Sequence, residues 1–407
     1  MKIKPALKLS WISLIVILTI ILTSCQEYSV FARIEPRIIV QMAGIDKDYD
    51  SRIYTFTVQY SMGQSSDESE NKNSLKAISG EGANIYSAIR RVRSAVGKEL
   101  FFSHNQMLIL GESIFKGDIT KVLREYLLYA DKHSTVYVSG AHGKAEDLLT
   151  QTFEDESVTK NRLLSILEDS REIGLFPVYN IYEIFANSYS TSGSVFLPML
   201  KIKETDVRAE LKIQNTENAG TQKCDSTVPE PKIVPDGGYL LFCQTNKTCG
   251  DRTSHFLEEK YTSGIALVNN SGNNISFDFW YDEEFHSLEL LKSKTKIRHY
   301  FDNTNNSEYE RLVFQINFSA NIDSSYSPEQ KLEKLKEPAA LVIQNRIQTS
   351  LEFIAGLGGD LIGLEDVVKH HDFSLWQRVT ESGDNSIIWQ DYLRNSEFVV
   401  NVELEIV

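Results

Sequence analysis

One stretch of this chain constrains everything after it. Lys2, Lys4 and Lys8 precede an apolar run over 11–22, and no comparably long apolar run follows. A basic stretch leading into a short apolar segment is the pattern of an export signal. Twelve residues at 1.5 Å make about 18 Å of helix, against about 30 Å of bilayer hydrocarbon. The run is too short for a permanent span. The rest of the chain is expected to fold as a water-facing protein outside the cytoplasm.

The run closes on Leu22-Thr-Ser-Cys25. A small residue before a cysteine, with leucine three positions upstream, resembles the bacterial lipobox. In that class of signal the thiol takes a diacylglycerol thioether, and cleavage leaves the cysteine as the new N-terminus. Two acyl chains give stable anchoring where one is marginal. Residues 1–24 then form a lipoprotein signal peptide. Cys25 is the lipidation site, and the covalent lipid is the one non-protein group expected; no cofactor and no metal are. Asn-x-Ser/Thr triplets, such as Asn246-Lys-Thr248 and Asn274-Ile-Ser276, mean only exposed polar loops in such a protein.

Lys plus Arg number 42 and Asp plus Glu 56, a net charge of −14. Removing the signal takes away three lysines and leaves about −17. Such a chain repels phosphate backbones, which argues against a general nucleic-acid binder. With Cys25 assigned to lipid, Cys224, Cys243 and Cys249 remain. An odd number leaves at least one free thiol if a disulfide forms. Cys243 and Cys249 are close enough for a local disulfide in an exported protein. Zinc is disfavoured there: no CxxC pair exists and His255 lies apart.

The pattern along the chain is α+β, multi-domain, with mixed or antiparallel sheets and packed helices. Strands over 37–43 and 53–60 read as a hairpin; Tyr54, Phe56, Val58 and Tyr60 alternate. A helical stripe runs through Ile85, Ala88, Ile89, Val92 and Val96. A strand at 106–110, a helix at 119–129 and a strand at 135–139 follow. Helices are predicted near 143–152, 157–169 and 179–187. Residues 195–203, with Pro198, read as an edge strand or connector. A long polar loop holds Pro229, Pro231 and Pro235, so a boundary is placed near 205. The expected organisation is an N-terminal α+β domain at 25–205, a mostly β region at 206–300 and a C-terminal α+β domain at 301–407. Within the middle region, 239–243, 263–269, 275–281 and 287–297 read as short strands. Farther on, Leu312, Phe314, Ile316 and Phe318 alternate, and Pro338 suits the first turn of a helix carrying Ile343, Ile347, Leu351 and Ile354. The C-terminus, 398–407, alternates strictly.

Catalytic machinery is not apparent. There is no Walker loop, no HExxH and no GxSxG. The glycine cluster Gly356, Gly358 and Gly359 follows a helix, so it reads as a helix stop. His370-His371-Asp372 reads as a solvated helix end. A glycosidase needs two carboxylates about 5–10 Å apart; Asp282-Glu283-Glu284 offers acids, but a chain rich in acids contains such runs anyway. Trp280, Trp376 and Trp389 read as core or interface, and the mixed charges over 329–337 as a solvated helical face.

Several segments together resemble the Ger(x)C family, the lipoprotein C subunits of spore nutrient germinant receptors. These are Cys25; the run Ile39-Val-Gln-Met-Ala-Gly-Ile-Asp46; the segment Phe102-Ser-His-Asn-Gln106 through Gly111-Glu112; Val136-Tyr-Val-Ser-Gly140 followed by Ala145-Glu-Asp-Leu-Leu149; and, near the C-terminus, 356–364, Leu375-Trp376 and Trp389-Gln-Asp-Tyr392. They span nearly the whole mature chain in family order. The chain departs from the family where a Trp commonly follows the lipid cysteine; here it is Gln26. The same holds at Ala130-Asp131, where the family commonly has Arg-Asp, and over 215–275. The resemblance implies a non-enzymatic subunit, lipid-anchored at the outer face of the spore inner membrane, with polytopic A and B subunits as partners. Two other readings share the export signal. A solute-binding lipoprotein needs a cleft between two similar lobes, whereas the halves here differ. A cell-wall hydrolase needs a carboxylate pair.

Overall fold

The computed structural model describes residues 37–61, 75–129, 134–150, 162–203, 233–243, 249–269, 274–302, 311–325, 329–381 and 385–407. The first sheet holds β1 (Arg37–Lys47), β2 (Tyr54–Ser61), β3 (Leu75–Gly82), β4 (Glu99–Phe101), β5 (Met107–Gly111), β6 (Tyr137–Ala141), β7 (Ser194–Ile202), β8 (Ile233–Cys243) and β9 (Cys249–Leu257). Their order is β3-β2-β1-β5-β6-β7-β8-β9, with β4 also on β1. The β1, β5, β6 and β7 pairings are parallel and the flanks antiparallel. The second sheet runs β10 (Ile275–Tyr281), β11 (Glu284–Asp302), β12 (Arg311–Ile322) and β13 (Glu397–Ile406). Its last pair is parallel.

Ten α-helices lie among the described residues. They are α1 (Ile85–Val96), α2 (Ile119–Tyr129), α3 (Ala145–Thr150), α4 (Arg162–Glu172), α5 (Ile181–Ser188), α6 (Glu259–Asn269), α7 (Glu329–Gly356), α8 (Leu364–His371), α9 (Phe373–Glu381) and α10 (Asn385–Arg394).

Alternation along the strands explains the layers. In β5, Leu108 and Leu110 enter one core and Met107 and Ile109 the other. The first core is closed by Ile85, Ala88, Ile89 and Val92 of α1 and by Ile119, Leu123 and Tyr126 of α2. The second core continues through α3, α4 and α6 to the inner face of the second sheet and α7. A sheet covered on both faces yields near-continuous apolar strands, as β1 and β5 are.

Three expectations are corrected. The span 263–269 belongs to helix α6, not a strand. Thr262 to Val268 are all buried, so no polar stripe marks the helix; a short apolar run does not reveal its period. A Cβ on Gly264 would stand 2.3 Å from the Arg346 carbonyl oxygen, so glycine permits the close crossing of α6 and α7. Strand β7 is interior rather than an edge: it lies between β6 and β8. Pro198 is tolerated because the register shifts between Pro198 and Leu200, a bulge where a missing N–H costs little. Pro338 sits inside α7 rather than in its first turn. The charged segment before it is already helical, burying Leu332 and Leu335. Strand β3 carries no apolar alternation because α1 lies against it; a Cβ on Gly80 would stand 2.7 Å from the Val92 nitrogen. The described residues of 206–300 contribute to both sheets. β8 and β9 extend the first sheet, and β10 and β11 open the second.

Candidate functional site at the junction of the two sheets

The motif residues of the N-terminal half converge on one point. Asp46, near the end of β1, is buried. Its Oδ1 accepts the Ala145 N–H at 2.8 Å and its Oδ2 the Glu146 N–H at 3.0 Å. A carboxylate from a distant strand therefore caps α3, where orphan donors and the helix dipole favour negative charge. Burial nevertheless pushes the Asp46 carboxyl above its ordinary value, outweighing these hydrogen bonds. Gly111 leaves the space that the carboxylate fills. The next residue, Glu112, clamps the loop before α3: its N–H donates to the Gly143 carbonyl (2.8 Å), and its carboxylate accepts the Gly143 N–H (3.0 Å).

The second half presents a matching pair of carboxylates. Asp360, in the segment between α7 and α8, is buried. It accepts the N–H groups of Ile362 (3.3 Å), Leu364 (2.9 Å) and Glu365 (2.8 Å). Its own N–H donates to Ser194 Oγ on β7 at 3.0 Å. Glu365, in the first turn of α8, reaches the other way. Its carboxylate accepts the Thr191 N–H at 3.0 Å and the Ser192 N–H at 2.7 Å, just before β7. Gly359 brings the chain against Leu240 of β8. The Asp360 carboxylate thus caps α8, while the Asp360 N–H and the Glu365 carboxylate brace α8 onto the start of β7. Burial raises the Asp360 carboxyl above its ordinary value. It also raises the Tyr179 phenol, as do the nearby charges of Glu183 and Asp360.

A cleft of about 340 Å³ opens beside this brace, with Arg171, Tyr179, Asn187 and Asp366 on its walls. Asn269 Nδ2 donates to the Leu361 carbonyl at 2.9 Å and to Tyr179 Oη at 3.3 Å. Both carboxylates are engaged by backbone donors. That arrangement suits rigid joining of two units rather than proton transfer to a substrate.

The sequence-predicted residues fall elsewhere. Cys25, Cys224 and the Asn246-Lys-Thr248 triplet lie outside the described residues. Cys243 ends β8 and Cys249 begins β9; the register sets them opposite one another, and Cys243 is disulfide-bonded. His255 is exposed on β9, against the Phe242 ring at 6.1 Å. His370 and His371 are exposed at the end of α8, and Asp372 accepts the Leu375 N–H of α9 at 3.0 Å. Among the described residues no cluster of His, Cys, Asp and Glu is arranged to hold a metal ion. Asp282 and Glu283 form the β10–β11 turn with φ of 52° and 61°, and Glu284 pairs with Tyr281. Trp280 is exposed, whereas Trp376 and Trp389 are buried and meet edge to face at 6.0 Å. In the run 329–337, Lys331, Glu333, Lys334 and Glu337 are exposed, whereas Leu332 and Leu335 turn into the core.

Sequence reasoning quoted Asp46 and Asp360 only as parts of motifs, and Glu365 not at all. The one signal for Asp46 was an acid terminating an apolar run. Glu365 carried none, because Ser190-Thr-Ser-Gly193, which it holds, reads as an ordinary loop.

Two family models match in order. The spore germination protein N-terminal domain matches residues 32–202. The spore germination B3/GerAC-like C-terminal domain matches residues 249–407. Among solved structures, the crystal structure of the GerBC protein superposes with a TM-score of 0.51 at 16% identity. The match covers 90% of this chain and 96% of that one. At that identity the likeness is one of fold. No curated protein matches the sequence. No helix among the described residues is long and apolar enough to cross a membrane.

Proposed function

Since the chain belongs to the Ger(x)C family of spore germination proteins, we propose that it is the C subunit of a nutrient germinant receptor. It acts without catalysis, is anchored through lipid on Cys25, and works beside polytopic A and B subunits at the outer face of the spore inner membrane. The observation that carries this reading is the ordered match of both family domains across the chain. The brace supports it. The motif acids Asp46 and Asp360 spend their oxygens on backbone N–H groups within their own halves, and Glu365 with the Asp360 N–H joins the second half to the first. A rigid body tethered to a membrane gains effective concentration for its membrane partners without new contacts.

Affinity capture of the tagged chain from solubilised spore membranes tests the proposal. Recovery of two polytopic membrane proteins with it, by mass spectrometry, is the expected result. Capture of the chain alone, under conditions that keep known membrane complexes intact, contradicts it.

A further inference from the structure

A second cleft, of about 460 Å³, lies far in sequence from the brace, between α1, β4 and the end of α2. Its walls carry Tyr86, Arg90, Arg93, Lys98, Glu99 and Tyr129. Helix α1 has no acidic residue. Among the described residues the one acid on these walls is Glu99, which is paired with Arg93. This concentrates positive charge in a chain whose net charge is −14. The aromatic rings are outward. Tyr86 and Tyr129 are 44% and 40% exposed and stack at 4.4 Å. Arg90 lies over the Tyr86 ring at 5.7 Å. Leu128 beside them is 64% exposed.

The position of the cleft matters as much as its charge. β1 begins at Arg37, whose register partner is Glu99. Arg37 lies twelve positions after Cys25, and a fully extended chain spans at most about 43 Å over that length. A lipid on Cys25 therefore keeps this edge of the protein within reach of the bilayer surface. Exposed tyrosines with an apolar neighbour and basic side chains form the chemistry that settles at a membrane–water interface. An anionic leaflet attracts cations only within a Debye length of its surface, so proximity decides whether the cleft is felt.

We propose that this cleft seats the phosphate-bearing headgroup of an anionic phospholipid, with Arg90, Arg93 and Lys98 as its donors and Tyr86 and Tyr129 at the interface. Besides the anchor, the headgroup is a second point of attachment, and two points fix the orientation of the chain over its membrane partners. The proposal rests on the lipid-anchor reading of Cys25.

The test uses the full lipidated chain in vesicles of neutral phosphatidylcholine, or of phosphatidylcholine with phosphatidylglycerol, read by hydrogen exchange over 86–99. Exchange slowed by about fivefold or more on the anionic vesicles, and restored in the R90Q/R93Q/K98Q variant, is expected, since each cation near such a surface contributes about a factor of five. The variant's thermal unfolding is measured alongside and should match wild type. Equal exchange on both vesicle types overturns the proposal. Slowing on neutral vesicles with millimolar inorganic phosphate overturns the lipid as the source, leaving a soluble anion. The mass of the Cys25 peptide from the same sample reports the anchor separately. Lipidated Cys25 without protection sinks the cleft alone; protection with unlipidated Cys25 sinks the anchor alone.

Discussion

A Cβ placed on Gly111 would stand 1.9 Å from Asp46 Oδ1. The two residues, on neighbouring parallel strands, divide one small space between them. Asp46 uses its share to cap α3. Gly111→Ala should therefore act by displacing that carboxylate. Both G111A and D46A should cost about 1–3 kcal/mol, the range for buried donors left unpaired. The double variant should cost little more than D46A alone, because both changes remove the same cap. Denaturant unfolding of all four proteins checks this. Additive losses would show that Gly111 matters for something other than Asp46.

Glu365 joins the halves through two charge-assisted hydrogen bonds. Glu365→Ala should destabilise by about 3 kcal/mol, since the Thr191 and Ser192 N–H groups lose their acceptor. Glu365→Gln keeps one acceptor oxygen and should lose less. Chemical denaturation measures both. Equal losses for the two variants would mean that the contact works by packing.

The pH dependence has a defined sign. Burial raises the folded-state value of Asp360 above the ordinary 3.8. Such a group holds its proton more tightly in the folded chain. Its contribution to stability is complete below 3.8 and is lost as pH rises through the raised folded value. The difference in Tm between wild type and Asp360→Asn should therefore shift against wild type as pH rises across that window. A difference that shifts in favour of wild type would mean that the three N–H donors outweigh burial.

Cys243 and Cys249 sit opposite each other on β8 and β9. Peptide mapping without reductant should recover them as one linked peptide, with Cys224 alkylated as a free thiol. Closing so short a loop contributes about 2 kcal/mol, so C243S/C249S should lose about that much. Recovery of Cys224 in the linked peptide would refute this pairing.

What was legible in the sequence followed from periodicity. The α1 stripe, the β12 alternation and the closing β13 read directly, because each buries one face; β2 alternates apolar with polar residues, yet Thr57 and Gln59 on its other face are buried too. The strand β3 was not legible, because its glycines make room for α1 rather than packing side chains of their own. Helix α6 lacked an exposed face to betray its period. Both omissions have the same cause: the neighbour that explains the residue lies far away in the chain. The brace was hidden for the same reason, since Glu365 meets Ser192 across 173 positions. Its components are single acids and an ordinary serine loop, which composition and spacing do not mark.

The most direct test of the receptor-subunit account is germination of spores lacking this chain, complemented with wild type or with Cys25→Ala. A panel of nutrients and one non-nutrient trigger would be scored. The account predicts that deletion abolishes the response to at least one nutrient and spares the non-nutrient trigger. Wild type should restore that response, and Cys25→Ala should restore it poorly while the protein remains folded. A full nutrient response in spores without the chain and without any paralogue would contradict the account. A full response with Cys25→Ala would contradict the anchor.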